Sequence, residues 1–145
     1  MSDAVLRVRR LRPTARVPAR QTAAASGYDL HACLDAPLSI GEQPVKVPTG
    51  IAIAAPEGYD VQSRPRSGLA ARGVLSVFGT IDADYRGELF VTMYCLPGCG
   101  PFEVNDGDRI AQLVVARLAH AEWVEVETLD DTARGDGGHG STGLR

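Results

Sequence analysis

Apolar residues recur along the chain in short bursts, and glycine or proline interrupts them before a helical period can establish itself. Val5 to Leu11 alternates imperfectly, yet its β-branched content and the following Pro13 suit a first strand. Further strands are expected at Val45 to Val47, Gly50 to Ala54, Tyr59 to Ser63, Leu75 to Phe78, Leu89 to Tyr94, Phe102 to Val104, Leu113 to Leu118 and Trp123 to Val126. Their number and the turn residues between them predict an all-β domain: a sandwich, jelly roll or barrel. Around Ile110 to Val114 a helical turn competes with a strand, because the β-branched residues there read as either. No internal repeat of fixed period is present.

The pattern changes character near the C-terminus. After Leu129 to Ala133 comes Arg134 to Gly143, a glycine-rich stretch with almost no apolar side chain to pack. The chain is therefore read as a β domain over 1–133 and a flexible arm over 134–145. Two roles stay open for the arm on composition alone. It is a frayed tail, or a segment rich in backbone N–H groups, with one arginine at its base, that wraps a polyphosphate and orders on binding.

Composition narrows the picture. With 145 residues and 44% hydrophobic content the chain suits one compact core. Sixteen glycines and nine prolines make long helices improbable. Lysine and arginine total 15 against 18 acidic residues, so a net charge of -3 gives no broad basic surface for a nucleic-acid backbone. No apolar run approaches the roughly 20 residues that span a bilayer. Cys33, Cys95 and Cys99 lack disulfide-framework spacing and no signal segment is evident, so a reducing cytoplasm is the expected location.

Several short segments carry groups that can do chemistry. Pro65-Arg66-Ser67-Gly68 offers a guanidinium, a hydroxyl and a glycine N–H, which suit separate phosphate oxygens; an ordinary turn with a surface arginine is the alternative. In Gly79 to Leu89, Asp82 and Asp84 share one face of an extended chain, and Tyr85 supplies a flat surface for a sugar or base. Asp82 fits a water-activating carboxylate there, or a solvated turn residue. Asp29, within Gly27-Tyr28-Asp29-Leu30, can bind hydrated magnesium directly or through water, or accept backbone hydrogen bonds in a turn. Asp108 and Arg109 read equally as structural or functional, whereas Gln112 is an amide in an apolar run and needs partners. Cys95 to Cys99 is too sparse for a zinc site, and His31 has no spacing that links it to that pair. His120 is isolated, Trp123 reads as a packing residue, and no dinucleotide or P-loop pattern occurs.

Taken in order, Gly27 to Leu30 with Ala32, Pro65 to Ala70, Gly79 to Leu89, Gly107 to Val114 and Arg134 to Gly143 resemble the five motifs of the homotrimeric dUTPase (deoxyuridine triphosphate nucleotidohydrolase) family. The resemblance implies a jelly roll or distorted β-barrel whose three copies share active sites, and hydrolysis of dUTP to dUMP and pyrophosphate with Mg2+. By the same resemblance Asp82 activates water for attack at the α-phosphorus and Asp29 holds the metal through its water shell. Arg66, Ser67, Gly68 and Gln112 match phosphate-binding positions, and Arg134 is brought by the arm to the terminal phosphates. Backbone at Gly79 matches the uracil-reading position, Tyr85 the residue under deoxyribose, and His139 with Gly140 and Ser141 the arm segment that covers the base.

Two departures accompany the match. The interval from Gly68 to Gly79 is shorter than in many relatives and lacks the Asn-x-Pro-Gly lead-in, so uracil contacts are expected to be rearranged. His139 stands where Phe is commoner, keeping a stacking ring but adding a titratable edge. A dCTP deaminase shares much of this fold, but its pattern places Glu where this chain has Thr92. A non-catalytic trimeric β binding module is the other alternative, and Asp82, Tyr85 and the complete glycine-rich arm argue against it.

Overall fold

The computed structural model describes residues 3–144. Met1, Ser2 and Arg145, the last residue of the expected arm, lie outside the described residues. The chain forms antiparallel sheets of a jelly-roll kind. The strands are β1 (Arg7–Arg10), β2 (Tyr28–His31), β3 (Leu38–Ile40), β4 (Val45–Pro48), β5 (Ile51–Ala54), β6 (Tyr59–Arg64), β7 (Val74–Ser76), β8 (Gly79–Ile81), β9 (Phe90–Cys95), β10 (Phe102–Val104) and β11 (Arg109–Arg117). They assemble as β2-β11-β6-β8, β4-β9-β7, β1-β5 and β10-β3.

The longest strand, β11, organises the functional sheet. Both its edges are paired, with β2 on one side and β6 on the other, so its backbone groups are satisfied by neighbours. This decides Ile110 to Val114 in favour of strand. A bulge between Arg109 and Ala111 lets both Ile110 and Ala111 be buried before alternation resumes at Leu113. Strand β9 shows the period of two most cleanly: Val91, Met93 and Cys95 are buried, while Phe90, Thr92 and Tyr94 turn outward. With Leu30, Ile40, Val47, Ile51, Val61 and Val104 they make a continuous core.

The single-turn helix α1 (Ser67–Ala70) follows Pro65, where the sequence suggests only a turn. Trp123 to Val126, expected as a strand, has no ladder partner, and residues 118–144 contain no regular secondary structure. Trp123 is 94% exposed and Leu129 84%, so the packing role expected of Trp123 is not met within its own chain. Cys33 and Cys95 are buried free thiols and Cys99 an exposed one, in line with the absence of a disulfide framework. Among the described residues no helix is long and apolar enough to cross a membrane.

Candidate active site

Three elements bring one polar cluster together. Asp29 on β2 lies directly opposite Gln112 on β11, which lies opposite Arg64 on β6; cross-strand partners share a face, so the three form a row. Asp29 is buried, and its carboxylate accepts a 2.7 Å hydrogen bond from Gln21 Nε2. Arg66 Nε and Arg109 Nη1 each stand 3.7 Å from its oxygens. Gln112 donates through Nε2 to the Pro65 carbonyl at 2.9 Å, and Arg66 Nη1 donates to the Arg109 carbonyl at 3.0 Å. These bonds dock the Pro65–Arg66 turn onto the sheet. Gly27 makes this possible: a β-carbon there would come within 2.9 Å of Gln112 Cδ and displace the amide.

Ser67 and Gly68 open α1 on the exposed side of the turn, and nothing lies within 4 Å of where a Gly68 β-carbon would be. Their amides precede the first internal helical bond, Ala70 to Arg66, and are free to meet an anion. Arg64 does not join the cluster. Its guanidinium turns along its own strand to Gln62 Oε1 at 3.0–3.2 Å. His31, two residues beyond Asp29 on the same face, has a buried Nδ1 without a partner among the described residues. Burial, then the charge of Arg16, pushes its imidazole below the ordinary histidine value; Asp29 opposes this, and Arg109 and Arg66 add to it.

Asp82 and Tyr85 sit elsewhere. They follow β8, at the edge of the sheet opposite β2 and two strands from β11, in a turn closed by the Tyr85 amide bonding to the Asp82 carbonyl at 3.0 Å. Asp82 is exposed and lines an open cleft with Asp60, Thr80 and His120. Tyr85 is 45% exposed, and its hydroxyl donates to the Glu88 carbonyl at 2.9 Å. Arg86 closes the loop by donating to the Ala83 and Tyr85 carbonyls. Gly79 pairs with Ser63, whose β-carbon would lie 3.5 Å from a β-carbon at Gly79, and among the described residues beyond its chain neighbours no other atom would come within 4 Å. A flat base can therefore approach the backbone there. Among the described residues no hydrogen bond or ion pair joins this loop to the Asp29 cluster.

Among the described residues the glycine-rich arm bonds only to itself and, through the Gly135 amide, to Thr132 just before it. Arg134 Nε donates to the Gly137 carbonyl at 2.8 Å, and short turns link Gly135 to Thr132, Ser141 to Gly138 and Gly143 to Gly140. His139, exposed with φ 50°, adopts the left-handed conformation beside Gly140 at φ 85°. Of the sequence-predicted residues, then, Asp29, Arg66 and Gln112 meet, with Ser67 and Gly68 adjoining; Asp82, Tyr85 and Gly79 form a second group; Arg134, His139, Gly140 and Ser141 form a third. Nothing in the sequence marks Gln21, in a polar loop eight residues upstream, as a partner of Asp29. Arg109, left open between structure and function, belongs to the cluster.

The cluster also bears on metal binding. Among the described residues no three His, Cys, Asp or Glu side chains gather where they can hold an ion. A single carboxylate flanked by guanidiniums does not make an all-protein cage. It fits an ion that keeps most of its waters and takes phosphate oxygens as further ligands, which is the habit of magnesium.

Comparison with known proteins gives consistent matches. The dUTPase family profile matches residues 14–143. A deoxyuridine 5′-triphosphate nucleotidohydrolase from Wolinella succinogenes is 50% identical over 144 residues, covering 95% of this chain and 93% of that protein. The dUTPase of Staphylococcus bacteriophage 80alpha, solved with dUPNHPP, is 26% identical with a TM-score of 0.84, covering 97% of this chain and 99% of its own. A mutant dUTPase from phage phi11 of S. aureus, described with a structural Mg(II) ion, has the same fold at 24% identity and a TM-score of 0.74, covering 86% of this chain and 97% of its own.

Proposed function

The chain belongs to the dUTPase family and is a nucleotidohydrolase, and from that premise we propose that it converts dUTP to dUMP and pyrophosphate at sites completed between copies in a homotrimer. The observation that carries this reading is the division of the site. The phosphate-binding cluster around Asp29 and the loop bearing Asp82 stand apart on one sheet, so neither is complete within one chain. A neighbouring copy supplies the missing half. The exposed segment that carries Trp123, Val124, Val126 and Leu129 needs the same neighbour. Covering such side chains stabilises by roughly 1.5–3 kcal/mol each. A groove lined by Val8, Val17, Ile53, Leu113 and Val115 offers apolar surface for that contact.

Arg66, the Ser67 and Gly68 amides and Gln112 bind the phosphates. The Gln112 amide has two hydrogens, and only one is taken by Pro65, so the other remains for a phosphate oxygen. Asp29 would hold magnesium through the ion's water shell, and the bound ion would supply positive charge that offsets the charge of the phosphates. Asp82 accepts a proton from water as the water oxygen bonds to the α-phosphorus; the bond from that phosphorus to the α–β bridging oxygen breaks, and pyrophosphate leaves. Gly79 backbone reads the uracil edge. Tyr85 lies flat under deoxyribose, where a 2′-hydroxyl would lose water without gaining a partner. The arm over 134–145 brings Arg134 to the terminal phosphates, and His139, Gly140 and Ser141 cover the base and exclude solvent.

The test is incubation of the assembled protein and Mg2+ with dUTP, dCTP, dTTP and UTP, identifying base and phosphate products. The expected products are dUMP and pyrophosphate from dUTP alone. Release of ammonia from dCTP would instead support a deaminase, although the position where that pattern has Glu is Thr92, on the outward face of β9. Failure to bind any deoxynucleotide would support a binding module.

A further inference from the structure

Tyr85 owes its position to a residue that carries no side chain. Its phenol folds back over Gly87, and a β-carbon built at Gly87 would lie 2.6 Å from Tyr85 Cζ and 3.0 Å from Cε2. The first is closer than a β-carbon comes to another carbon and the second is tight, so the ring would have to move. Gly87 is not among the glycines in the left-handed region, so its backbone does not demand glycine; the ring above it does. The far end of that ring is fixed by the 2.9 Å bond from the hydroxyl to the Glu88 carbonyl.

Glu88 is itself anchored. Its carboxylate accepts from Arg12 Nη2 at 2.6 Å and from the Gly50 amide at 2.8 Å. The next residue, Leu89, is buried, donating to the Ile51 carbonyl at 2.8 Å and accepting from the Thr49 hydroxyl at 2.6 Å. The acceptor for the Tyr85 hydroxyl is thus tied to the β4–β5 turn and the core, while the ring remains half in solvent.

We propose that Gly87 is a specificity-determining positioning residue. By lacking a β-carbon it lets the phenol lie down against residues 87–88 and reach the anchored carbonyl, which sets the height and tilt of the face offered to the sugar. The inference rests on the reading of Tyr85 as the residue beneath deoxyribose. A methyl group at position 87 lifts the ring, breaks its bond to Glu88 and opens room in which a 2′-hydroxyl keeps its water.

The test compares kcat/KM for dUTP and UTP in the wild type, Gly87→Ala, Tyr85→Phe, Tyr85→Ala and the Tyr85→Ala/Gly87→Ala pair. Gly87→Ala should reduce the preference for dUTP about tenfold, because it both breaks the hydrogen bond to Glu88 and lifts the ring. Tyr85→Phe, which keeps the ring and removes its tether without adding volume, should reduce it about threefold. Once Tyr85 is Ala, adding Gly87→Ala should change the preference no further, because the two act through one ring. A merely structural role for Gly87 would give additive effects. If Tyr85→Ala lowers the preference while Gly87→Ala and Tyr85→Phe leave it intact, the positioning role is wrong and the Tyr85 reading stands. An unchanged preference in Tyr85→Ala overturns both. Should Gly87→Ala not fold, Tyr85→Phe decides: wild-type preference overturns the proposal.

Discussion

Replacing Asp29 by Asn removes one negative charge from between two guanidiniums while keeping the shape of the side chain. The amide oxygen can still accept from Gln21, so the 2.7 Å hydrogen bond need not be lost. The two ion pairs are lost. Each is 3.7 Å long, and the Arg66 and Arg109 side chains are 31% and 43% exposed, which places both pairs in the solvent-screened class. Pairs of that kind contribute about 0.2–1 kcal/mol each, so the expected cost is about 0.4–2 kcal/mol. For a domain of this size that lowers Tm by roughly 1–8 °C. The functional cost is of another kind. A unit charge about 5 Å from a hydrated ion, at an effective dielectric between roughly 20 and 80, is worth about 1–3 kcal/mol per unit of ionic charge. Magnesium carries two such units, so the magnesium concentration for half-maximal rate should rise at least about thirtyfold. Initial rates against magnesium at saturating dUTP, alongside thermal unfolding of the same preparation, separate the two effects. A lowered Tm with unchanged magnesium dependence would refute the metal-holding role and leave Asp29 a structural carboxylate.

Asp82→Asn should leave the assembly and nucleotide binding intact and lower the single-turnover hydrolysis rate by about 10²–10⁴-fold, the usual worth of a general base; a near-wild-type chemical rate would remove Asp82 from that role. Deleting residues 134–145 should leave the β core folded, since those described bond only to one another and to Thr132, which lies outside every strand, yet reduce kcat/KM sharply. Arg134→Ala should fall less far, by roughly 10- to 100-fold for one charge-assisted phosphate contact, and wild-type turnover by the truncated protein would reduce the arm to a solvated tail. Trp123→Ser should shift the assembly toward smaller species on dilution, read by sedimentation velocity; an unchanged dilution profile would mean that other residues hold the copies together.

Legibility in the sequence followed how local each determinant is. Phe102 to Val104 is legible as a strand because an apolar-polar-apolar triplet stands between turn residues. Tyr28–His31 escaped notice as a strand, because Asp29 and His31 alternate with apolar residues whose burial depends on β11, more than eighty residues away. Gly79–Ile81 has a glycine start and is made a strand by pairing with β6, a contact no local pattern announces. Leu38–Ile40 is only three residues long between Pro37 and Gly41, and its partner β10 lies more than sixty residues away. The helical alternative at Ile110 to Val114 failed for the same reason, since two neighbours claim the backbone of β11. Trp123 to Val126 is the opposite case: its pattern promises a strand, and its own chain offers no partner edge.

The candidate site divides along the same line. Residue types and their order pointed to Asp29, Arg66 and Gln112, and the fold gathers them. What a linear reading could not supply was the geometry around them: Gln21 capping Asp29, Arg64 turned away to Gln62, and Gly27 and Gly87 serving as spaces for Gln112 and Tyr85. An absent β-carbon has meaning only once the group that fills its place is known.

The division of the site between copies is tested most directly by mixing two inactive proteins. Asp82→Asn retains the phosphate-binding cluster and lacks the base; Arg66→Ala retains the base and lacks the cluster's guanidinium. Each is purified, and equal amounts are unfolded and refolded together so that subunits mix at random. If each site draws Asp82 from one copy and Arg66 from another, about one site in four contains both intact residues, and the mixture should recover about a quarter of wild-type dUTP hydrolysis. Recovery no greater than the sum of the two separate proteins, in a mixture shown to contain hetero-assemblies, would place both groups in one chain and contradict the shared site.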